Sequence, residues 1–401
     1  MNKTWIIHAN IVMEDGIVAN GFLQMADGKI TVIDQMNNCP PLTSADNIID
    51  CQQQGYIIPG MIDIHVHGAI GHDFMDGAPV NYAKIAKYLA SEGVTAFLAT
   101  TTTSPMSEIE VAIEGLAFYN KEQPTAVAEM LGIHLEGPFI NRSKKGAQPE
   151  ESILKPNAKQ FNDLYDKSNQ LIRLVTFAPE EDVDFELLQA LKSKDVIASI
   201  GHSDADYDTT IRAIRAGVTH ATHLFNGMRG IHHRDPGVVG AVLLEDDVYV
   251  ELIPDNIHFH KDLLLMIRKM KGLDRMLVIT DGMRAKGMPD GIYTLGGEEV
   301  EVFDNRCVQR KTGSLAGSVL NMNTARKNIE EWLTLSLIEQ VRLVSLNQAI
   351  HLGVSNRKGS LAVGKDADVV WLNAEGEIEK TFCLGNLAFE KNGNIDRHLF
   401  H

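Results

Sequence analysis

Two textures follow one another along the chain. From Trp5 to about Ile58 the hydrophobic positions fall in short β-prone pieces, TWIIHANIV, GFLQMADGKITVID and NIIDCQQQGYIIP, broken by turn-formers such as Asn37-Asn38-Cys39-Pro40-Pro41. This pattern predicts a small β-domain. From Ile57 onward, apolar β-branched runs alternate with amphipathic segments, as successive βα units require. Eight runs qualify as strands: Ile57 to His65, Val94 to Thr100, Val127 to Leu135, Leu171 to Phe177, Val196 to Ile200, Val218 to Thr222, Val248 to Leu252 and Met276 to Ile279. Between them lie segments of helical periodicity, among them NYAKIAKYLASEG, DFELLQALKSKD, DTTIRAIRAG and KDLLLMIRKMKG, some of which stop at a glycine suited to a C-cap. Eight strands alternating with helices predict an α/β fold, a (β/α)8 TIM-type barrel. After the eighth strand come a glycine-rich loop, TGSLAGSVLNMN, and helical segments through RLVSLNQAIHLG. KGSLAVGKDADVVWLN then returns to turns and strands. The expected architecture is a barrel over residues 58–354 with a small β-sandwich-like domain formed by both termini, residues 1–57 and 355–401.

Composition narrows the functional classes. The 401 residues are 44% hydrophobic and 22% charged, as in an ordinary soluble globular protein. The formal net charge of -16 argues against nucleic acid and anionic membrane as partners, because the summed field repels phosphate at long range. A phosphate-bearing ligand therefore needs local cations. Cys39, Cys51, Cys307 and Cys383 show no CxxC spacing, which removes a zinc-ribbon or disulfide-framework reading and fits a reducing cytoplasm. The N-terminus lacks the continuous apolar region of a signal peptide, and no run reaches membrane-spanning length. Asn141-Arg142-Ser143 matches a glycosylation sequon that has no chemical meaning without secretion.

The chemistry lies at the strand ends. In His65-Val66-His67 the alternation of a strand turns both imidazoles to one face, where they can grip a single metal. Alone, an H-x-H is usually ordinary polar sequence. Glu136 follows the third strand, His202 the fifth, His223 the sixth and Asp281 the eighth, each at the C-terminal edge. In a TIM barrel that edge faces the active site, so chance does not explain ligand-type residues at one end of so many strands. Mixed imidazole and carboxylate ligands suit zinc, iron(II), manganese or cobalt, as one or two ions. Asp281 is the candidate general base and acid, its alternative being a carboxylate that only supports the metal.

At these residues the sequence resembles the amidohydrolase superfamily and, more narrowly, the N-acetylglucosamine-6-phosphate deacetylase family. The stretches that carry the resemblance are PGMIDIHVHG, GIHLEGPFIN with KKGAQ, GHSDA, THLFNGM with RDPGVVGA, DNIHFH, VITDGM and SLAGS. The resemblance implies a metal triad of Glu136, His202 and His223, with His65 and His67 as the extra pair of members that hold two metals. It makes Asp281 the acid/base that activates water with the metal's help. The fourth strand, LVTFAPE, has no lysine, in keeping with a family that uses the third-strand glutamate instead. The phosphosugar side maps to Ala147, Gln148, Asn226, Gly227, His258 and the loop Leu315, Ala316 and Gly317. Arg234 maps to an arginine lent across a homodimer interface. The implied reaction is hydrolysis of the acetamide of N-acetylglucosamine 6-phosphate. Its rivals are another amidohydrolase acting on a cyclic or aminoacyl amide, and a catalytically silent sugar-phosphate-binding barrel. One departure stands out: some members carry histidine where this chain has Gln148, which can donate a hydrogen bond to an oxyanion but cannot become cationic.

Overall fold

The structure, a computed structural model, describes residues 3–44, 46–391 and Gly393. Residues 1–2, 45, 392 and 394–401 of the expected terminal domain lie outside the described residues.

Eight parallel strands form one sheet in sequence order: Met61–Val66, Val94–Thr101, Glu129–Glu136, Ile172–Phe177, Ile197–Ile200, His220–Ala221, Tyr249–Leu252 and Met276–Val278. The edges meet, because Asp281 N–H donates to His65 O at 2.9 Å and His67 N–H to Gly282 O at 2.8 Å, so the sheet closes into a barrel. Covered on both faces, these strands read as nearly continuous apolar runs, which is why eight of them were legible without a partner in view. The helices between them fall on the amphipathic segments, for example Tyr207–Ala216, capped by the Asp206 carboxylate accepting from Thr209 N–H and closed by Gly217.

The first expected strand is corrected. The run Ile57 to His65 divides at Gly60: Tyr56–Pro59 joins a second sheet, and only Met61–Val66 belongs to the barrel. A Cβ on Gly60 would lie 1.9 Å from Thr95 Oγ1, so the crossing between sheets admits no side chain. That second sheet has eight strands drawn from both ends of the chain, running from Asn386–Glu390 through Val369–Leu372, Tyr56–Pro59 and Thr4–Val12 to Lys29–Gln35. Ile30 and Phe382, far apart in strand order, share one core with Ile6, Ile11 and Leu23, so the sheet folds over on itself. Trp5, Ile7 and Phe22 pack on the other face, as strand alternation dictates. The four cysteines are free.

One element was not anticipated. Between the eighth strand and the loop at Ser314, Gly291–Leu295, Glu298–Phe303 and Arg306–Gln309 form a three-stranded antiparallel sheet. Its turns, Gly296-Gly297 and Asp304-Asn305, have positive φ at both residues, the conformation of tight hairpin turns. Leu295, Val300 and Cys307 build a small core with Met283, Ala285 and Ala316, which seats this sheet beside the mouth of the barrel.

Candidate metal centre

The C-terminal ends of the strands bring His65, His67, Glu136, His202, His223 and Asp281 together, all buried. His202, His223 and Asp281 each adopt a left-handed backbone, with φ of 46°, 30° and 50°. Such conformations cost of order 1–3 kcal/mol each in a non-glycine residue and persist where the surroundings over-determine them, typically at functional sites. Each residue lies just past the C-terminal end of its strand and lines the same cavity.

Glu136 is the hub. Its Oε1 lies 3.2 Å from His202 Nε2 and 3.1 Å from His223 Nε2, and those two nitrogens are 3.1 Å apart. The three atoms form a nearly equilateral triangle. Four ligands around a tetrahedral ion with bonds of about 2.0–2.1 Å lie about 3.3 Å from one another, close to these edges. On the other side, Glu136 Oε2 is 3.3 Å from His67 Nε2, while Asp281 Oδ1 is 3.2 Å from His67 Nε2 and 3.4 Å from His65 Nε2. Two ligand groups result, Glu136/His202/His223 and His65/His67/Asp281, joined through one carboxylate.

Hydrogen bonds at the far side of the rings suit this role. His202 Nδ1 donates to Lys144 O at 2.8 Å, which leaves the Nε2 lone pair facing the cluster. His67 Nδ1 meets Thr102 Oγ1 at 3.1 Å, and His65 Nδ1 meets Glu251 Oε2 at 2.9 Å. His65 Nε2, fully buried, has no hydrogen-bond partner of its own among the described residues. The donor set therefore fits a divalent transition ion.

The electrostatics point the same way. Burial pushes the Glu136 carboxyl up, but His65, His202 and His223 around it outweigh that and hold it well below the usual carboxylate range. Burial likewise opposes ionisation of Asp281, yet His65 and His67 keep it below its ordinary value. For His67 burial acts downward, and the hydrogen bonds to Asp281 and Glu136 reverse it, raising the imidazole to about 9. The buried carboxylates thus demand positive charge, which protons or a divalent cation can supply in exchange.

A cavity of about 330 Å³ opens over the cluster, lined by His67, Glu136, His202, His223 and Asp281. Its walls also contain every expected substrate residue but one: Ala147, Gln148, Asn226, Gly227, His258, Leu315, Ala316 and Gly317. Gln148 Oε1 accepts from Thr103 N–H at 3.1 Å, which turns its amide NH2 toward the metal side, 3.2 Å from His202 Nε2. His258 is clamped through Nδ1 to Asp255 Oδ2 at 2.6 Å; burial lowers its pKa, but this bond outweighs burial and raises it. Arg234 stands apart, exposed on a turn outside the cavity, with Nη1 2.7 Å from His233 Nε2. Sequence reasoning missed Glu251, which accepts from His65 and from the His223 N–H. The available signal was a glutamate inside the apolar run of the seventh strand, VYVELI.

Comparison with known proteins gives the family. The model of the amidohydrolase family matches residues 56–388. The N-acetylglucosamine-6-phosphate deacetylase of Bacillus subtilis (strain 168) is 40% identical over 381 residues, covering 94% of this chain and 95% of that protein. Among solved structures, the N-acetylglucosamine-6-phosphate deacetylase of Thermotoga maritima is 32% identical and superposes with a TM-score of 0.86 over 96% of this chain and all of that one. A mutant of the Mycobacterium smegmatis deacetylase, solved in complex with N-acetyl-D-glucosamine-6-phosphate, is 28% identical with a TM-score of 0.89, over 97% of this chain and 100% of its own.

Proposed function

The chain belongs to the amidohydrolase family, and we propose that it hydrolyses the acetamide of N-acetylglucosamine 6-phosphate to acetate and glucosamine 6-phosphate. The observation that carries this reading is the Glu136-centred ligand cluster lying at the floor of a cavity that Asp281 also lines. Glu136, His202 and His223 would hold one divalent ion, and His65, His67 and Asp281 a second; zinc, iron(II), manganese and cobalt all match the ligand chemistry. Such an ion, when bound, polarises an acyl oxygen and lowers the pKa of water.

The protein's own groups do the rest. Asp281, a carboxylate and so ordinarily ionised near neutral pH, accepts a proton as water adds to the acetamide carbonyl carbon. The C–N bond then breaks, and Asp281 returns that proton to the departing amine, so the carboxylate is restored. Gln148, its amide oriented by Thr103 N–H, presents an N–H donor to the oxyanion that develops on the carbonyl. Asn226, Gly227, His258, Ala147 and the Leu315 to Gly317 loop shape the sugar pocket.

The phosphate needs a cation, and among the described residues the cavity lining contains no lysine or arginine. Arg234, exposed and outside its own cavity, is free to reach a second copy of the chain, which supports a homodimer in which each subunit supplies the other's phosphate ligand. Cytoplasmic action fits the free cysteines, and no helix among the described residues is long and apolar enough to cross a membrane.

Asp281→Asn tests the assignment. Bound metal is counted alongside acetate release, and kcat is expected to fall by about 10²–10⁴-fold because an amide cannot take the proton. A wild-type rate in that variant at full metal content would remove Asp281 from the mechanism.

A further inference from the structure

Beneath the ligand cluster the barrel interior holds a carboxylate that the proposed reaction does not use. Glu251, from the seventh strand, is fully buried. Its Oε2 accepts from His65 Nδ1 at 2.9 Å and from the backbone N–H of His223 at 3.0 Å. Its Oε1 lies 3.1 Å from His220 Nε2, though without hydrogen-bond alignment. His220 is itself held from behind, with Nδ1 2.8 Å from His351 Nε2 on the helix Asn347–His351.

Two features make this arrangement more than a satisfied core polar group. Glu251 touches one residue from each ligand group, the ring of His65 and the strained backbone of His223. Its hydrogen bond also fixes the His65 tautomer, directing the Nε2 lone pair toward Asp281 and Glu136. His65, His134 and Glu251 are close enough to hold an ion themselves. His65 Nδ1 is already bonded to Glu251 Oε2, however, and its Nε2 faces Asp281 and Glu136, so His65 has no further nitrogen to give an ion there, which leaves orientation as the role of the carboxylate.

We infer that Glu251 is a positioning residue that sets metal affinity by holding the imidazole of His65 and the main chain of His223 in register across the two ligand groups. The inference rests on the reading of His65 and His223 as metal ligands and extends it to the seventh strand, which supplies no ligand of its own.

The test uses the full-length protein, stripped with chelator and reloaded with zinc. Zinc per chain is measured by elemental analysis, and dissociation constants by competition with a chromogenic chelator. Glu251→Gln, nearly isosteric, is expected to raise the dissociation constant of the more weakly held zinc by roughly 10–100-fold. His65→Ala and the double variant complete a cycle: once His65 is gone, Glu251→Gln is expected to cost much less than it does in the wild-type background. His220→Gln, which keeps the carboxylate but frees its other oxygen, is expected to give a smaller rise, about two- to fivefold. Unchanged zinc affinity in Glu251→Gln would overturn the proposal, as would effects of Glu251→Gln and His65→Ala that simply add. Should Glu251→Gln not fold, wild-type affinity in His220→Gln overturns it. Acetate release by the wild type is recorded in parallel, so zinc binding without deacetylation defeats the functional reading and leaves the Glu251 cycle standing.

Discussion

Two buried charge clusters sit at opposite ends of the barrel, and they are neutralised in different ways. At the junction with the terminal sheet, Glu129, Asp366 and Asp368 surround Lys358, whose side chain is only 1% exposed. Arg357 adds bonds to Glu129 at 2.6 Å and to Asp366 at 2.5 Å, and Lys29 reaches Asp366 at 2.7 Å. At the mouth, among the described residues, the ion pairs of Glu136, Glu251 and Asp281 are all with imidazoles. The first cluster carries its own permanent cations and joins two parts of the fold. The second depends on exchangeable positive charge. A catalytic centre that must take up metal and move protons requires the second kind.

Removing a permanent cation should damage stability and spare chemistry. Lys358→Met leaves two buried carboxylates, Asp366 and Asp368, and the half-buried Glu129 short of their shared partner and is expected to cost about 3–5 kcal/mol in denaturant unfolding. Acetate release per folded molecule is expected to stay at the wild-type level. A large loss of turnover with stability intact would erase the distinction between the clusters.

pH separates them next. His67 is raised to about 9 in the folded chain from an ordinary 6.5, so its contribution is fully present below about pH 6.5 and is lost as pH rises through about 9. Metal-stripped protein should accordingly lose stability between those values, on the order of 3 kcal/mol from this group. Glu129 and Asp366 are depressed: burial opposes that shift, but Arg357 and Lys358 at Glu129, and Lys29 with Lys358 at Asp366, outweigh it. Their stabilisation is lost only as pH falls through their lowered values, so neither adds slope in this window. Urea titrations of stripped protein at pH 6 and pH 9 check this, and equal stability would contradict it.

The smallest expected effect concerns the cation the mouth lacks. Arg234→Ala is expected to raise KM for N-acetylglucosamine 6-phosphate by roughly 10–100-fold, the worth of about 1.5–3 kcal/mol for hydrogen bonds to a charged group, with kcat little changed. An unaltered KM would place phosphate recognition elsewhere and favour a substrate without phosphate.

What was legible in the sequence followed from period and position. The eight barrel strands announced themselves as apolar runs, and His65, Glu136, His202, His223 and Asp281 as polar residues at the ends of those runs. The break at Gly60 was hidden because Tyr56–Pro59 and Met61–Val66 are both apolar strands; only their different partners, Val369–Leu372 and Val94–Thr101, separate them. The sheet formed by Gly291–Leu295, Glu298–Phe303 and Arg306–Gln309 has turn signals at Gly296-Gly297 and Asp304-Asn305, but its strands are short and partly polar, so they merge with the neighbouring glycine-rich loop. Glu251 was invisible for a stronger reason: its partners His65, His220 and His223 lie on two other strands, and one carboxylate in an apolar run does not reveal what it faces.

Metal occupancy against turnover tests the central claim most directly. Protein stripped of metal is titrated with zinc while bound zinc per chain and acetate released from N-acetylglucosamine 6-phosphate and from its unphosphorylated counterpart are measured together. Turnover that rises in step with zinc and strongly favours the phosphorylated sugar is the predicted result. Full acetate release from metal-free protein, or none from the zinc-loaded protein, would contradict it.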